Sequence, residues 1–218
     1  MTSVVGGIPV DTASDTERPL HPVFDASELP SVAYGSRTIT WWGTAGFMVA
    51  EAATLAACLA AYYYVRRNFT AWPPLRTPKP DLVIPTISLV VLILSVIPCY
   101  LFAKAAERYD KAATQLWMWI AIVVMLAATA LRLMEFPALN VRWDANAYAS
   151  VAWAIVFAHF TLLLVDTMET LVFAMILTTG KAPPRFFPGF SEDAFYTYFM
   201  VLAWIPCYVT VYLVPYWT

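Results

Sequence analysis

The chain has 218 residues and a net charge of −2; it is 61% hydrophobic, 16% aromatic and only 13% charged, with a mean hydropathy of +0.64. A soluble domain carries about 25% charged residues, so this composition points to an integral membrane protein. The sequence has no basic patch to suggest nucleic acid as a partner.

Residues 1–38 are polar, with Asp11, Asp15, Glu17, Asp25 and Glu28. A signal peptide is basic and then apolar, and this segment is neither. It reads as an extramembrane, loosely ordered tail, followed by a membrane domain over 39–218. Five apolar runs follow, at about 40–66, 81–106, 112–134, 148–178 and 193–216, each long enough to cross a bilayer as a helix. The predicted fold is all-α, a bundle of five transmembrane helices. The first run is framed by Trp41-Trp42 and by Tyr62-Tyr63-Tyr64 with Arg66-Arg67, an interfacial pattern. The connection "RNFTAWPPLRTPKPD" has four prolines and is no helix interior. The second run ends in "AKAAERYDKAA", a short charged turn. "EFPALNVRWDANAY" joins the third and fourth runs; "TTGKAPPRFFPGFSED" joins the fourth and fifth, with Ser191 placed to cap the last helix. Pro98 and Pro206 fall inside runs, where a membrane helix tolerates a local kink. No internal repeat is found. The three cysteines, Cys58, Cys99 and Cys207, stand singly in apolar runs and read as packing residues.

The charges inside the runs are the candidate functional groups. Glu51 is the one charge between Trp42 and Arg66. An ionised carboxylate at mid-bilayer costs about 3 kcal/mol on insertion scales, so Glu51 is expected to face protein and to be neutral. The fourth run holds three more groups expected to be buried and protonatable, His159, Asp166 and Glu169. His159 and Asp166, two turns apart, share a face, and Asp166 and Glu169 are neighbours three residues apart. Glu51 and Asp166 lie at comparable depth, so a carboxyl pair sharing a proton between the first and fourth helices is one reading. The other is polar glue, each group hydrogen-bonding a neighbouring helix. Arg132 and Glu135, three apart at the end of the third run, either pair at the surface or leave Arg132 to reach a lipid phosphate as an interfacial anchor.

Histidine is scarce. His21 lies in the tail and His159 in the fourth run. Haem and copper sites draw on histidine, so this chain is not expected to hold a haem–copper centre. With seven glycines, it also has little material for a phosphate-cradling loop. Catalysis and metal binding are therefore not assigned to its own residues.

Five stretches resemble subunit III of the haem-copper respiratory oxidases, in its short five-helix bacterial form, over about residues 39–217. "WWGTAGFMVAEAATLAACLAAYYYVRR" resembles the family's W-G-x-x-x-F-x-x-x-E helix, with Glu51 on its buried glutamate. "WPP" with "PDLVIPTISLVVLILSVIPCYLFAKAAERYD" is similar to the bacterial loop and second helix. In "LRLMEFPAL", Glu135 and Phe136 match the family's Q-x-x-E-[YF], and Arg132 replaces the glutamine. "VFAHFTLLLV" resembles G-F-H-G-L-H-V, with His159 on the first histidine and Leu162 in place of the second. "FYTYFMVLAWIPCYVTVYLVPYW" follows the terminal W-Y-W-H-F-V-D-x-x-W pattern; Phe199 and Trp204 match, while Tyr198 and Val201 replace its histidine and aspartate.

The resemblance implies an accessory subunit without a redox centre. Haem and copper would sit in partner subunits I and II, and phospholipid would be held in a cleft between helices. The chain would stabilise the catalytic subunit and its proton uptake in aerobic electron transport. It also implies a bacterial cytoplasmic membrane, with the N-terminus cytoplasmic and the C-terminus periplasmic. The slight excess of Lys and Arg on that side agrees. Two further readings stand beside it: the subunit-III-like component of a nitric-oxide reductase, and a stand-alone proton-linked transporter using Glu51, His159, Asp166 and Glu169.

Overall fold

A computed structural model of the chain describes residues 3–5, 8–10, 32–34, 37–180 and 187–217. Most of the tail, including His21, and Lys181 to Phe186 lie outside the described residues. In the tail, β1 (Ser3–Val5) pairs antiparallel with β2 (Ile8–Val10), and β3 (Val32–Tyr34) with β4 (Arg37–Thr38). Beyond it the regular elements among the described residues are helices: α1 (Ile39–Arg66), α2 (Val83–Glu107), α3 (Lys111–Ala138), α4 (Ala147–Thr178) and α5 (Phe187–Tyr208), with α5 running through a π-helical turn at Val209–Leu213 into α6 (Val214–Trp217). Among the described residues, five helical segments are long and apolar enough to cross a membrane, the last spanning Phe187–Trp217. At 1.5 Å per residue, about 20 residues cross the ~30 Å hydrocarbon layer. Helices are the form such segments take, because no water is present to satisfy an open backbone.

The helix ends have local causes. Asp110 caps α3, its side chain accepting from the Ala113 N–H at 3.0 Å, and Asn146 caps α4 by accepting from Ala149 at 2.9 Å. The α2–α3 turn is closed by Tyr109 in the left-handed region, φ 57°. Helix α3 runs past the apolar run to include Glu135, Phe136 and Pro137, and the N–H groups of Leu139 and Asn140 close its last carbonyls. Helix α5 starts at Phe187, so Ser191 lies within it and caps nothing. Phe187 and Phe190 are buried in this part of the helix; their rings meet edge-on, Phe190 also meets Phe173 edge-on, and Phe187 meets Tyr109 at a tilt. Helix α2 is continuous through Pro98. In the last helix, Pro206 removes one backbone donor, and the wider π turn begins at Val209.

Helix α5 packs against α2, α4 and α1; α3 lies between α2 and α4, and α1 is laid on α4 and α5. Burial separates the two ends of the chain: 11% of the α1 span is buried against 56% of the last span. Only a stripe of α1, marked by Glu51, Leu55 and Tyr62, enters the bundle. The proline-rich connection is folded in. Trp72 is buried, donates its indole N–H to the Tyr62 hydroxyl at 2.7 Å and meets Tyr62 and Tyr148 edge-on at 5.2 and 5.1 Å. Tyr62 is thus a core residue rather than part of the interfacial frame, while Tyr64 is 74% exposed.

Candidate functional site

Two polar clusters are buried between the helices. The first lies between α1, α4 and α5. Glu51 is 5% exposed, and both its oxygens accept from the Tyr196 hydroxyl, at 2.8 and 2.7 Å. Asp166 is fully buried on α4; its oxygens accept from Thr197 at 3.3 and 3.2 Å. Asp193, 4% exposed, accepts from Thr170 at 2.9 Å through Oδ2. No salt bridge reaches any of these carboxyls among the described residues. Glu51 and Asp166 share no hydrogen bond; each is served by its own hydroxyl from α5. Glu169, expected to be buried, is exposed. Three residues are a little less than one full turn, and that rotation carries Glu169 to the edge of the interface while Asp166 points inward.

The second cluster lies between α3, α4 and α5. Arg132 and Glu135 are both fully buried and joined by bonds of 2.8 and 2.9 Å from one guanidinium nitrogen. Tyr212 donates to the same Glu135 carboxyl at 2.8 Å. The guanidinium lies 3.6 Å from the centre of the Trp204 ring, which spreads its charge over an aromatic face. Trp204 in turn lies 4.6 Å from His159, whose Nε2 bonds the Met200 carbonyl oxygen at 3.0 Å. Arg132 Nε and Nη2, Trp204 Nε1 and His159 Nδ1 are buried without a hydrogen-bond partner among the described residues. The expected lipid contact at Arg132 is not offered by the surface of this chain: its carboxylate partner is one helical turn away, and both turn inward. Phe136 is partly buried and stacks near Trp153 at 4.9 Å and Phe160 at 6.1 Å.

The chemistry open to these clusters is proton holding and helix registration. Among the described residues, no group of three or more His, Cys, Asp or Glu side chains is placed to hold a metal ion. His159 has one ring nitrogen committed and its face against Trp204.

No family model matches the chain. It is similar to a curated protein of Synechocystis sp. named cytochrome c oxidase subunit 3, 26% identical over 184 residues, which cover 83% of this chain and 78% of that protein. That relative's name is the one borne by the family whose motifs the sequence resembles.

Sequence reasoning missed Asp193, Tyr196, Thr197 and Tyr212. Asp193 stands at the junction of the connecting stretch and the fifth run, where a charge draws no attention. The signal lay in spacing: Asp193, Thr197, Met200, Trp204, Cys207 and Val211 recur at three or four residues, and all are buried.

Proposed function

We propose that this chain is the non-catalytic subunit III of a haem-copper terminal oxidase. It would pack beside a haem- and copper-bearing subunit I and a subunit II, and keep the catalytic subunit and its proton uptake intact. The observation that carries this is the similarity to a protein named cytochrome c oxidase subunit 3 over 83% of the chain. The buried pairs support it: Glu51 with Tyr196, and Glu135 with Arg132, stand on two of the resembling motifs and join α1 to α5 and α3 to the last helix. Such clasps fix helix positions without redox chemistry, as an accessory subunit requires. His159, buried against Trp204, does not fit an axial haem ligand; haem and copper belong to the partners.

In this reading the protein sits in a bacterial cytoplasmic membrane, N-terminus inside and C-terminus in the periplasm. Phospholipid fills grooves on its surface. A headgroup site fits the end of α1, where Arg66 and Arg67 border a cavity of about 320 Å³ with Tyr63, Phe69 and Trp72. Arginine beside an aromatic belt suits a lipid phosphate.

The test is to tag the chain in its native membrane, extract it in mild detergent and record a reduced-minus-oxidised spectrum of what co-purifies. Haem bands with a many-histidine partner are expected, and the haem types separate oxygen from nitric-oxide chemistry. A colourless chain that purifies alone and stays folded sinks the subunit reading and leaves the transporter to be tested by proton flux in liposomes.

A further inference from the structure

At the end of the bundle where α1 and α5 begin, a cavity of about 210 Å³ opens between α1, α4 and α5. It has room for several waters at about 30 Å³ each. Its walls include Gly43 of α1, Glu169 of α4, and Gly189, Glu192, Asp193 and Tyr196 of α5. Glu169 is exposed and connects the cavity to its surroundings. Asp193 is buried, its Oδ2 takes the Thr170 hydroxyl, and its Oδ1 has no hydrogen-bond partner among the described residues. An acceptor so buried, with no cation beside it among those residues, is held as the neutral acid or meets water. No set of ligands for a metal ion is assembled there among the described residues, so the species that fits is the proton.

We propose that this cavity is a proton-exchange site in which Asp193 trades its carboxyl proton with water. The Oδ1–H bond breaks as a cavity water takes the proton, and re-forms when water returns it; no electron moves. The groups facing Asp193 are Asp166 and Glu169 of α4, Cys99 of α2, and Glu192 and Tyr196 of α5, with Glu51 of α1 behind Tyr196. Among the described residues none of these groups is a cation, so water is the route for the charge. Asp166 is the internal contrast: it is fully buried, held by Thr197, and absent from the cavity wall. The two glycines make the space. A Cβ built at Gly43 or Gly189 meets nothing within 4 Å, so a larger side chain enters open volume instead of clashing.

The proposal rests on geometry and holds whatever the partners are. It is tested on the full chain in its native complex by following the carboxylic C=O infrared band after transfer from H2O to D2O. Asp193→Asn is expected to remove a fast-exchanging component that Asp166→Asn leaves in place. Gly189→Leu is expected to slow that component tenfold or more. Gly43→Leu plugs the cavity from the opposite wall, and decides the matter should Asp193→Asn or Gly189→Leu fail to assemble. A fast component that survives Asp193→Asn, or that keeps its rate in an assembled Gly189→Leu or Gly43→Leu chain, overturns the proposal.

Discussion

Glu51 and Tyr196 form a single contact whose value depends on the proton. A neutral carboxyl keeps an acceptor for the tyrosine hydroxyl, and so does an amide. Glu51→Gln is therefore expected to leave yield of the complex and initial turnover nearly unchanged, read by recovery of intact complex and initial oxygen consumption. Loss of assembly in that variant would contradict a neutral Glu51. Glu51→Lys buries an unpaired cation beside the hydroxyl and is expected to prevent stable assembly. The Arg132–Glu135 pair behaves differently, because both charges are fully buried. Removing one partner of such a pair costs about 3–5 kcal/mol, whereas removing both is far milder. Arg132→Met alone should lower thermal stability sharply, and Arg132→Met with Glu135→Gln should recover much of it, since glutamine still accepts from Tyr212. A double variant no better than the single would show that packing over Trp204, not charge, sets the cost. The sequence made the carboxyls visible as charges in apolar runs, and Glu51 was legible as a buried group. It did not show which hydroxyl serves each one, because tyrosine and threonine are ordinary in a membrane helix until a neighbour supplies the acid. Arg132 was misplaced at the surface for a related reason: an arginine near a run's end has the same pattern whether it reaches outward or turns inward with a carboxylate three residues on.

At the scale of elements, the runs of apolar residues located all five spanning helices, since the bilayer demands them by length alone. The boundaries were less legible where side chains rather than hydropathy extend the helix. Phe187 and Phe190 look like loop aromatics beside prolines and glycine, yet their rings are core. Pro137 looks like a stop, yet the helix closes around it through Leu139 and Asn140. The proline-rich connection is the element with the greatest consequence for its size. Trp72 fills the space between Tyr62 and Tyr148 and ties α1 to the start of α4. Truncating a buried tryptophan costs about 3–5 kcal/mol. Trp72→Ala should lower the unfolding temperature of the purified complex markedly. Trp72→Phe, which keeps a ring and loses one hydrogen bond, should cost about 1 kcal/mol. Equal losses in the two variants would assign the effect to the hydrogen bond rather than the ring.

At the scale of the whole molecule, five crossings among the described residues would put the two ends of the helical bundle on opposite faces of the membrane. Reporters fused at the N- and C-terminus are expected to be cleaved from opposite sides in oriented vesicles; cleavage of both from one side would remove a span from the count. The arrangement is also lopsided, with a deeply embedded last helix and a first helix attached along one stripe. The clasp between them joins residues 145 positions apart. During synthesis, Glu51 enters the bilayer long before Tyr196 exists. Until α5 is made, the first helix carries its acid with no hydroxyl to receive it. A nascent chain cut short before α5 therefore displays a bare carboxyl within the lipid, and the finished chain conceals it. The Glu51–Tyr196 contact is thus a late-forming one, closed only after four earlier helices have already been made.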